Sequence, residues 1–254
     1  MSHPAVLSVG TTHPWNVAGV GLDQLIGGEF GVRVLTVTTA VSAQDAGGVR
    51  GLYPLPAEAI RAQFASIPWD AICAIRVGAA PTADAIHEVA DALLQHPETP
   101  AVVDPVFTAT LGGKLAEDGA FPVFRDELAT LPNVILTPNV GEAAMLLGTK
   151  DLTRNDLAEA AGALLARGAR AILIKGGHLS GDPVDTLASA DGVDRYIDNR
   201  LPGDMRGTGC TLAMALACEL ARGMKLLDAV RSARAFVRAK IASAQEFAGI
   251  NVAY

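Results

Sequence analysis

Short apolar, β-branched segments alternate with helical patterns along the whole chain, with no Ser- or Pro-rich linker and no short-period repeat. Strands are expected at Ala5 to Val9, Val32 to Thr39, Ala71 to Val77, Ala101 to Asp104, Val134 to Leu136 and Ala171 to Lys175. Between them, Ile86, Val89, Ala90, Leu93 and Leu94 keep the spacing that lays one stripe of a helix on a sheet. Leu157, Ala161, Leu164 and Leu165 repeat it, with Thr153 as the expected N-cap and Gly168 just past the end. The strands read as unbroken apolar runs, as they do when helices cover both faces of a parallel sheet. The expected fold is therefore α/β: a three-layer α/β/α sandwich around a mostly parallel central sheet. Asp185 to Ser189 and Asp194 to Asp198, around Asp191-Gly192, predict a hairpin at its edge. Leu226 to Phe247 predicts a last helix, with Val230, Ala233, Val237 and Ile241 toward the sheet. Its Arg231, Arg234 and Arg238 would lie on a solvated or subunit-contact face.

Composition narrows the function classes. The 254 residues fit one α/β domain over positions 1–254, large enough to bury about 70–75% of its unfolded surface without a disulfide or metal staple. A hydrophobic share of 50% against 19% charged residues excludes general disorder. Twenty Lys and Arg against 27 Asp and Glu give a net charge of −7, so the chain has no broad cationic footprint for nucleic acid. A small anionic ligand stays open, because helix N-termini bind phosphate within acidic proteins. Three scattered cysteines, Cys73, Cys210 and Cys218, make neither a disulfide framework nor a zinc cluster, and a reducing cytoplasm is expected. No membrane span or signal peptide is expected, since every apolar stretch is broken early and no basic run precedes Arg33.

In open parallel sheets ligands sit beyond the carboxyl ends of the strands, so residues just after each strand are the candidates for chemistry. Gly207-Thr208-Gly209-Cys210-Thr211 opens a small, apolar run from Leu212 to Leu220 that reads as a buried helix. Its glycines admit a ligand close to the backbone, and the N–H groups of Thr208, Gly209 and Cys210 can converge on one anion. A tight packing turn is the plain alternative. Cys210 falls in the first helical turn, where the dipole is expected to lower the thiol pKa and fit it to accept a proton. The alternative is a small buried residue, the reading given to Cys73 and Cys218. Lys175 ends a strand before two glycines, placed to reach a phosphate or simply solvated. Asn139 and Glu142 stand one helical turn apart, where they fit a capping box, a water-mediated Mg²⁺ ligand, or both. Asp104 ends an apolar strand before Pro105, as a carboxylate near a metal or as an ordinary turn residue.

Five segments in order carry a resemblance: Thr38-Thr-Ala-Val-Ser-Ala-Gln44, Val103-Asp-Pro-Val106, Thr137-Pro-Asn-Val-Gly-Glu142, Lys175-Gly-Gly-His178 and Gly207-Thr-Gly-Cys-Thr211. Over nearly its whole length the chain resembles the hydroxymethylpyrimidine and phosphomethylpyrimidine kinases of thiamine biosynthesis, within the ribokinase-type kinases. The resemblance implies a ribokinase-like fold and an ATP- and Mg²⁺-dependent transfer to the hydroxymethyl group of 4-amino-5-hydroxymethyl-2-methylpyrimidine, with its monophosphate as a further acceptor. It also implies a homodimer. Cys210 becomes the expected catalytic base, and Gly207, Thr208 and Gly209 the cradle for the transferring group. Lys175, Asn139, Glu142 and Thr211 fall to the nucleotide, Glu142 and Asp104 to the metal, and Asp23 and Gln44 to the aminopyrimidine. Thr11, His13 and Trp15 lie beside the inferred acceptor pocket, where this chain departs from the relatives' glycine-rich loop by carrying Asn16 and Val17. His13 is read as a pocket wall or surface residue ahead of a general base. Arg206 stands where relatives carry histidine, and pairs with a phosphate or faces water. Arg76 replaces a common lysine and Ala79 a methionine. A pyridoxal kinase and a non-catalytic binding protein on the same fold are the rival readings.

Overall fold

The computed structural model describes residues 4–108 and 112–254. Strand β1 (Ala5–Thr12) leads to helix α1 (Gly19–Glu29), followed by β2 (Arg33–Asp45), β3 (Gly48–Pro54), α2 (Ala57–Ala65), β4 (Ile72–Val77), α3 (Ala83–Gln95) and β5 (Ala101–Val103). Then come α4 (Ala120–Val123), which continues into a π-helical turn at Phe124–Leu128, and β6 (Val134–Leu136), α5 (Val140–Leu147), α6 (Leu157–Leu165) and β7 (Ala171–Ile174). The chain finishes with β8 (Val184–Ser189), β9 (Gly192–Ile197), α7 (Thr208–Ala221), α8 (Leu226–Ser243) and a small hairpin of β10 (Gln245–Phe247) and β11 (Ile250–Val252).

Nine strands form one sheet in the order β3-β2-β1-β4-β5-β6-β7-β8-β9. The six from β2 to β7 run parallel, while β3, β8 and β9 pair antiparallel at the two edges. One apolar core joins a face of the sheet to α2, α3, α5 and α6, and a second joins the other face to α1, α7 and α8. The expected three layers and edge hairpin are therefore present. Helix α7 is the most enclosed of the helices: Leu212, Met214, Leu216 and Cys218 are all buried. Each large apolar side chain so placed contributes about 1.5–3 kcal/mol by leaving water.

Several local expectations need correction. The last helix stops at Ser243, and Gln245 to Phe247 is a strand of the terminal hairpin. Its arginine stripe is a solvated face only at Arg231, which stays exposed beside Asp228. Arg234 Nε reaches Asp185 Oδ2 at 2.7 Å and its Nη1 reaches Asp198 Oδ2 at 2.9 Å, while Arg238 Nη1 donates to the Asn199 carbonyl at 2.9 Å. Arg234 and Arg238 thus fasten α8 to the edge hairpin. Thr153 closes a turn with Asp156 ahead of α6, whose first residue is Leu157. Leu94 extends into solvent although Ile86, Val89, Ala90 and Leu93 are buried, because the buried face of α3 is narrower than the apolar pattern. Cys73 is exposed, whereas Cys218 is buried. Strand β3 folds back on the outer half of β2 as a hairpin, from Asp45 opposite Gly48 to Ala40 opposite Pro54, where the expected strand had ended at Thr39.

Candidate active site

Most of the predicted site residues enter from the carboxyl ends of β1, β5, β6 and β7 and meet the N-terminus of α7, with Asp23 coming from α1 and Gln44 from β2. Gly207 adopts φ +76°, a left-handed conformation that glycine takes without strain, and a Cβ here would lie 2.4 Å from the Val17 carbonyl. The turn therefore packs directly on the loop after β1. A Cβ at Gly209 would stand 3.2 Å from Lys175 Nζ and 3.4 Å from Asp104 Oδ2, so the first turn of α7 faces both groups. Thr211 is fully buried, and its hydroxyl donates to the Gly207 carbonyl at 2.8 Å; its observed contact shapes the turn.

Lys175 comes to this point because its N–H donates to the Pro138 carbonyl at 2.8 Å and its backbone bridges to Asn139, prolonging the β6–β7 pairing. Its Nζ donates to Asp104 Oδ1 at 2.6 Å. Burial opposes the ammonium charge, but Asp104 and Glu142 outweigh it and raise the lysine above its usual range. Asp104 is buried, and the same carboxylate oxygen accepts from the Thr137 hydroxyl at 3.3 Å.

Asn139 caps α5 by accepting from the Glu142 N–H at 2.9 Å, and Glu142 Oε2 accepts the Asn139 N–H at 2.7 Å. The capping box is complete, which leaves Glu142 Oε1 free of that pair. Burial raises Glu142 to about 7, with Asp104 adding to the rise and Lys175 opposing it. Among the described residues no group of three or more His, Cys, Asp and Glu is assembled for a metal. Two oxygen donors, Glu142 and Asp104, suit Mg²⁺, which takes one or two carboxylates and completes its shell with water and phosphate oxygens.

Cys210 lies beside Arg76, Asp104 and Asp23. The dipole argument expected a lowered thiol pKa; burial instead raises it, and Asp104 and Asp23 add to the rise against the opposing charge of Arg76 and the N–H of Gly19. A helix N-terminus contributes only about half a charge, too little to offset desolvation beside two carboxylates.

Arg76 is the residue that the sequence reading undervalued. It is 1% exposed, and its guanidinium lies 3.4 Å from Asp23 and 4.0 Å from Asp104. The chain makes room with glycine: a Cβ at Gly78 would fall 2.0 Å from Arg76 Nη1. A lone arginine inside the apolar strand Ile72–Val77, followed by Gly78, was the available signal. Asp23, expected against an aminopyrimidine, is fully buried, accepts the Ser8 hydroxyl at 2.6 Å and pairs with Arg76. In this arrangement its nearest cation is Arg76, and its charge also bears on Cys210.

The remaining acceptor-side residues are spread more widely. Gln44 stands on β2 beyond the last residue paired with β1, and its amide donates to Ser42 Oγ at 2.7 Å. Thr11 is buried, and its carbonyl lies where a Cβ on Gly19 would come within 2.2 Å. Trp15 packs edge-on against Phe247 of the terminal hairpin, with ring centroids 5.8 Å apart. His13 is buried at 4% exposure, and neither ring nitrogen has a partner at full hydrogen-bond geometry.

The match to known proteins covers this whole arrangement. The phosphomethylpyrimidine kinase family model matches residues 17–252. The chain belongs to that family. A hydroxymethylpyrimidine/phosphomethylpyrimidine kinase of Streptomyces coelicolor is 40% identical over 245 residues, covering 94% of this chain and 88% of the relative. The chain spans about half the length of the bifunctional thiamine biosynthetic proteins that it also matches. Among solved structures, a phosphomethylpyrimidine kinase of Clostridium difficile superposes with a TM-score of 0.80 at 27% identity, covering 92% of this chain and 98% of that one. The ADP complex of Bacillus subtilis pyridoxal kinase gives 0.89 at 28% identity, covering 99% of this chain and 97% of that one. Family membership carries the ribokinase-like fold and a phosphotransferase with an alcohol acceptor.

Proposed function

We propose that this chain transfers the γ-phosphoryl group of ATP to the hydroxymethyl group of 4-amino-5-hydroxymethyl-2-methylpyrimidine, and then phosphorylates the resulting monophosphate, in thiamine biosynthesis or salvage. The observation that carries the reading is the meeting of the Gly207–Cys210 turn with Lys175 and Asp104 at one mouth of the sheet. Phosphoryl transfer needs little covalent chemistry from a protein; it needs an anion cradle, cations that offset charge and a way to take the acceptor's proton. The backbone N–H groups of Thr208, Gly209 and Cys210 would cradle the transferring group, and Lys175 would bind the phosphates of ATP. Glu142 and Asp104 would hold Mg²⁺, which supplies charge neutralisation when bound, and Asn139 keeps Glu142 in place through the capping box. Cys210 would take the hydroxyl proton, and Arg76 is the charge that most favours its ionised form.

On the acceptor side, Thr11, His13, Trp15, Asp23 and Gln44 remain the proposed recognition set, with Asp23 paired to Arg76. The same reading makes residues 1–254 one catalytic domain that works as a cytoplasmic homodimer. The closer superposition on a pyridoxal kinase keeps one rival acceptor in play. Parallel measurement of acceptor-dependent ADP release with the pyrimidine alcohol and with pyridoxal decides between them. The proposal expects a kcat/KM at least about tenfold higher for the pyrimidine, a gap of about 1.4 kcal/mol in transition-state binding. A reversed ratio would assign the chain to pyridoxal.

A further inference from the structure

We infer that Arg206 and His13 form an anion subsite for the phosphate of the phosphorylated acceptor, and that this subsite serves the second of the two transfers. The inference rests on the kinase reading above and names how one protein handles both acceptors.

Two segments on either side of Cys210 build it. The turn before α7 is held from outside, where the Arg206 N–H donates to the Asn251 carbonyl at 2.9 Å and the Asn251 amide donates to Asp204 Oδ1 at 2.7 Å. The loop after β1 closes on the same turn, with Val17 against Gly207. Each segment brings a nitrogen donor that the protein leaves unused. Arg206 Nη1 is buried with no hydrogen-bond partner, and neither ring nitrogen of His13 has a partner at full hydrogen-bond geometry, its one backbone neighbour being Ala18. Arg76, Arg234 and Lys175 each have a carboxylate within 4.0 Å, but among the described residues Arg206 has none. Burial lowers the pKa of both Arg206 and His13, and each registers the nearby charge: His13 that of Arg206, and Arg206 that of Cys210. Uncompensated donors on two facing segments, beside the residue where the acceptor oxygen reacts, suit an anion that arrives with the acceptor.

The two transfers differ in what they need. In the first, a neutral hydroxyl attacks and must lose its proton, the step given to Cys210. In the second, an oxygen of the acceptor's phosphate attacks the γ-phosphorus of ATP. A P–O bond forms between the two phosphates, the bond from the γ-phosphorus to the β,γ-bridging oxygen breaks, and ADP leaves with that electron pair. A phosphate monoester has its second pKa near about 6, so at neutral pH the attacking oxygen carries no proton. The obstacle is charge, since one anion must approach another. A guanidinium without a carboxylate partner offsets it, and neutral His13 adds an N–H donor.

The test compares wild type, Arg206→Gln and Arg206→Lys with both the pyrimidine alcohol and its monophosphate at saturating ATP, alongside calorimetric binding of the monophosphate without ATP. Arg206→Gln should lower kcat/KM for the monophosphate by about 10- to 100-fold, the loss expected on removing a charged donor from a bound anion. It should weaken monophosphate binding in parallel and affect the alcohol far less, and Arg206→Lys should recover part of the loss. Equal losses on both acceptors or unchanged monophosphate binding would each overturn the subsite and leave the kinase reading standing, whereas a wild type that phosphorylates the alcohol alone would overturn the subsite together with the second transfer. A wild type that turns over neither acceptor would instead remove the kinase reading.

Discussion

At the scale of single residues, the site is a balance of buried charges, and the balance makes two predictions. Arg76 is the strongest influence lowering the Cys210 thiol, against burial, Asp104 and Asp23. Replacing it with methionine in a Cys73→Ser background, which removes the exposed thiol, should slow iodoacetamide alkylation of Cys210 and move its pH profile upward. Arg76→Lys should hold the profile near wild type, and an unmoved profile in Arg76→Met would detach Arg76 from the thiol. Glu142 gives a stability prediction. Its carboxyl is raised in the folded state from an ordinary 4.5 to about 7. Between these values the folded protein keeps a proton that the unfolded chain releases, so this group's contribution falls as pH rises through the window and levels off above it. Urea titrations from pH 4.5 to 8 should show that decline in wild type and a flatter profile in Glu142→Gln. These residue pairings could not be read from the sequence, because a pKa depends on which charges the fold gathers. The motif around Cys210 was legible; the outcome of dipole against desolvation was not.

At the scale of elements, glycines and edge hairpins place the chemistry. The turn at Gly207 and the packing of Gly78 on Arg76 need residues without a Cβ, and both glycines lie in plain view in the sequence. The capping box at Asn139 and Glu142 was also legible, since it depends on two residues three positions apart. The role of the α8 arginines was not, because their partners lie about 40 positions or more away in the β8–β9 region. Arg234 there joins two carboxylates, Asp185 and Asp198, from a site that is 11% exposed. Arg234→Met should cost about 1–3 kcal/mol, between the values for exposed and buried pairs, because it leaves the partly buried Asp185 without a cation while Asp198 keeps Arg238 at 3.8 Å. Equilibrium unfolding checks this, and a change within about 0.5 kcal/mol, the range of an ordinary surface substitution, would return the stripe to the solvated role that its spacing first suggested. The β10–β11 hairpin escaped prediction for a related reason. Unlike the buried three-residue strands β5 and β6, β10 is wholly exposed and β11 buries only Ile250 and Val252, so no apolar run marks them, and this pair gains its place by packing Phe247 on Trp15 and Asn251 on Arg206.

At the scale of the molecule, the parallel strands explain why residues from distant parts of the sequence act together. Parallel strands put all their carboxyl ends on one edge, so Asp104, Lys175 and the loop after β1 arrive at the same mouth, and α7 crosses the sheet to close it. That logic was readable from the alternation of apolar strands and helices, as were the layers. The antiparallel edge strand β3 was not. The central claim is that the mouth of α7 carries the transfer and that Cys210 takes the acceptor's proton. Single-turnover transfer from ATP to the pyrimidine alcohol by Cys210→Ser, measured together with nucleotide affinity, tests it most directly. The account predicts a transfer rate lower by about 10²- to 10⁴-fold, the usual worth of a general base, with ATP binding and unfolding midpoint close to wild type. A transfer rate equal to wild type would contradict it.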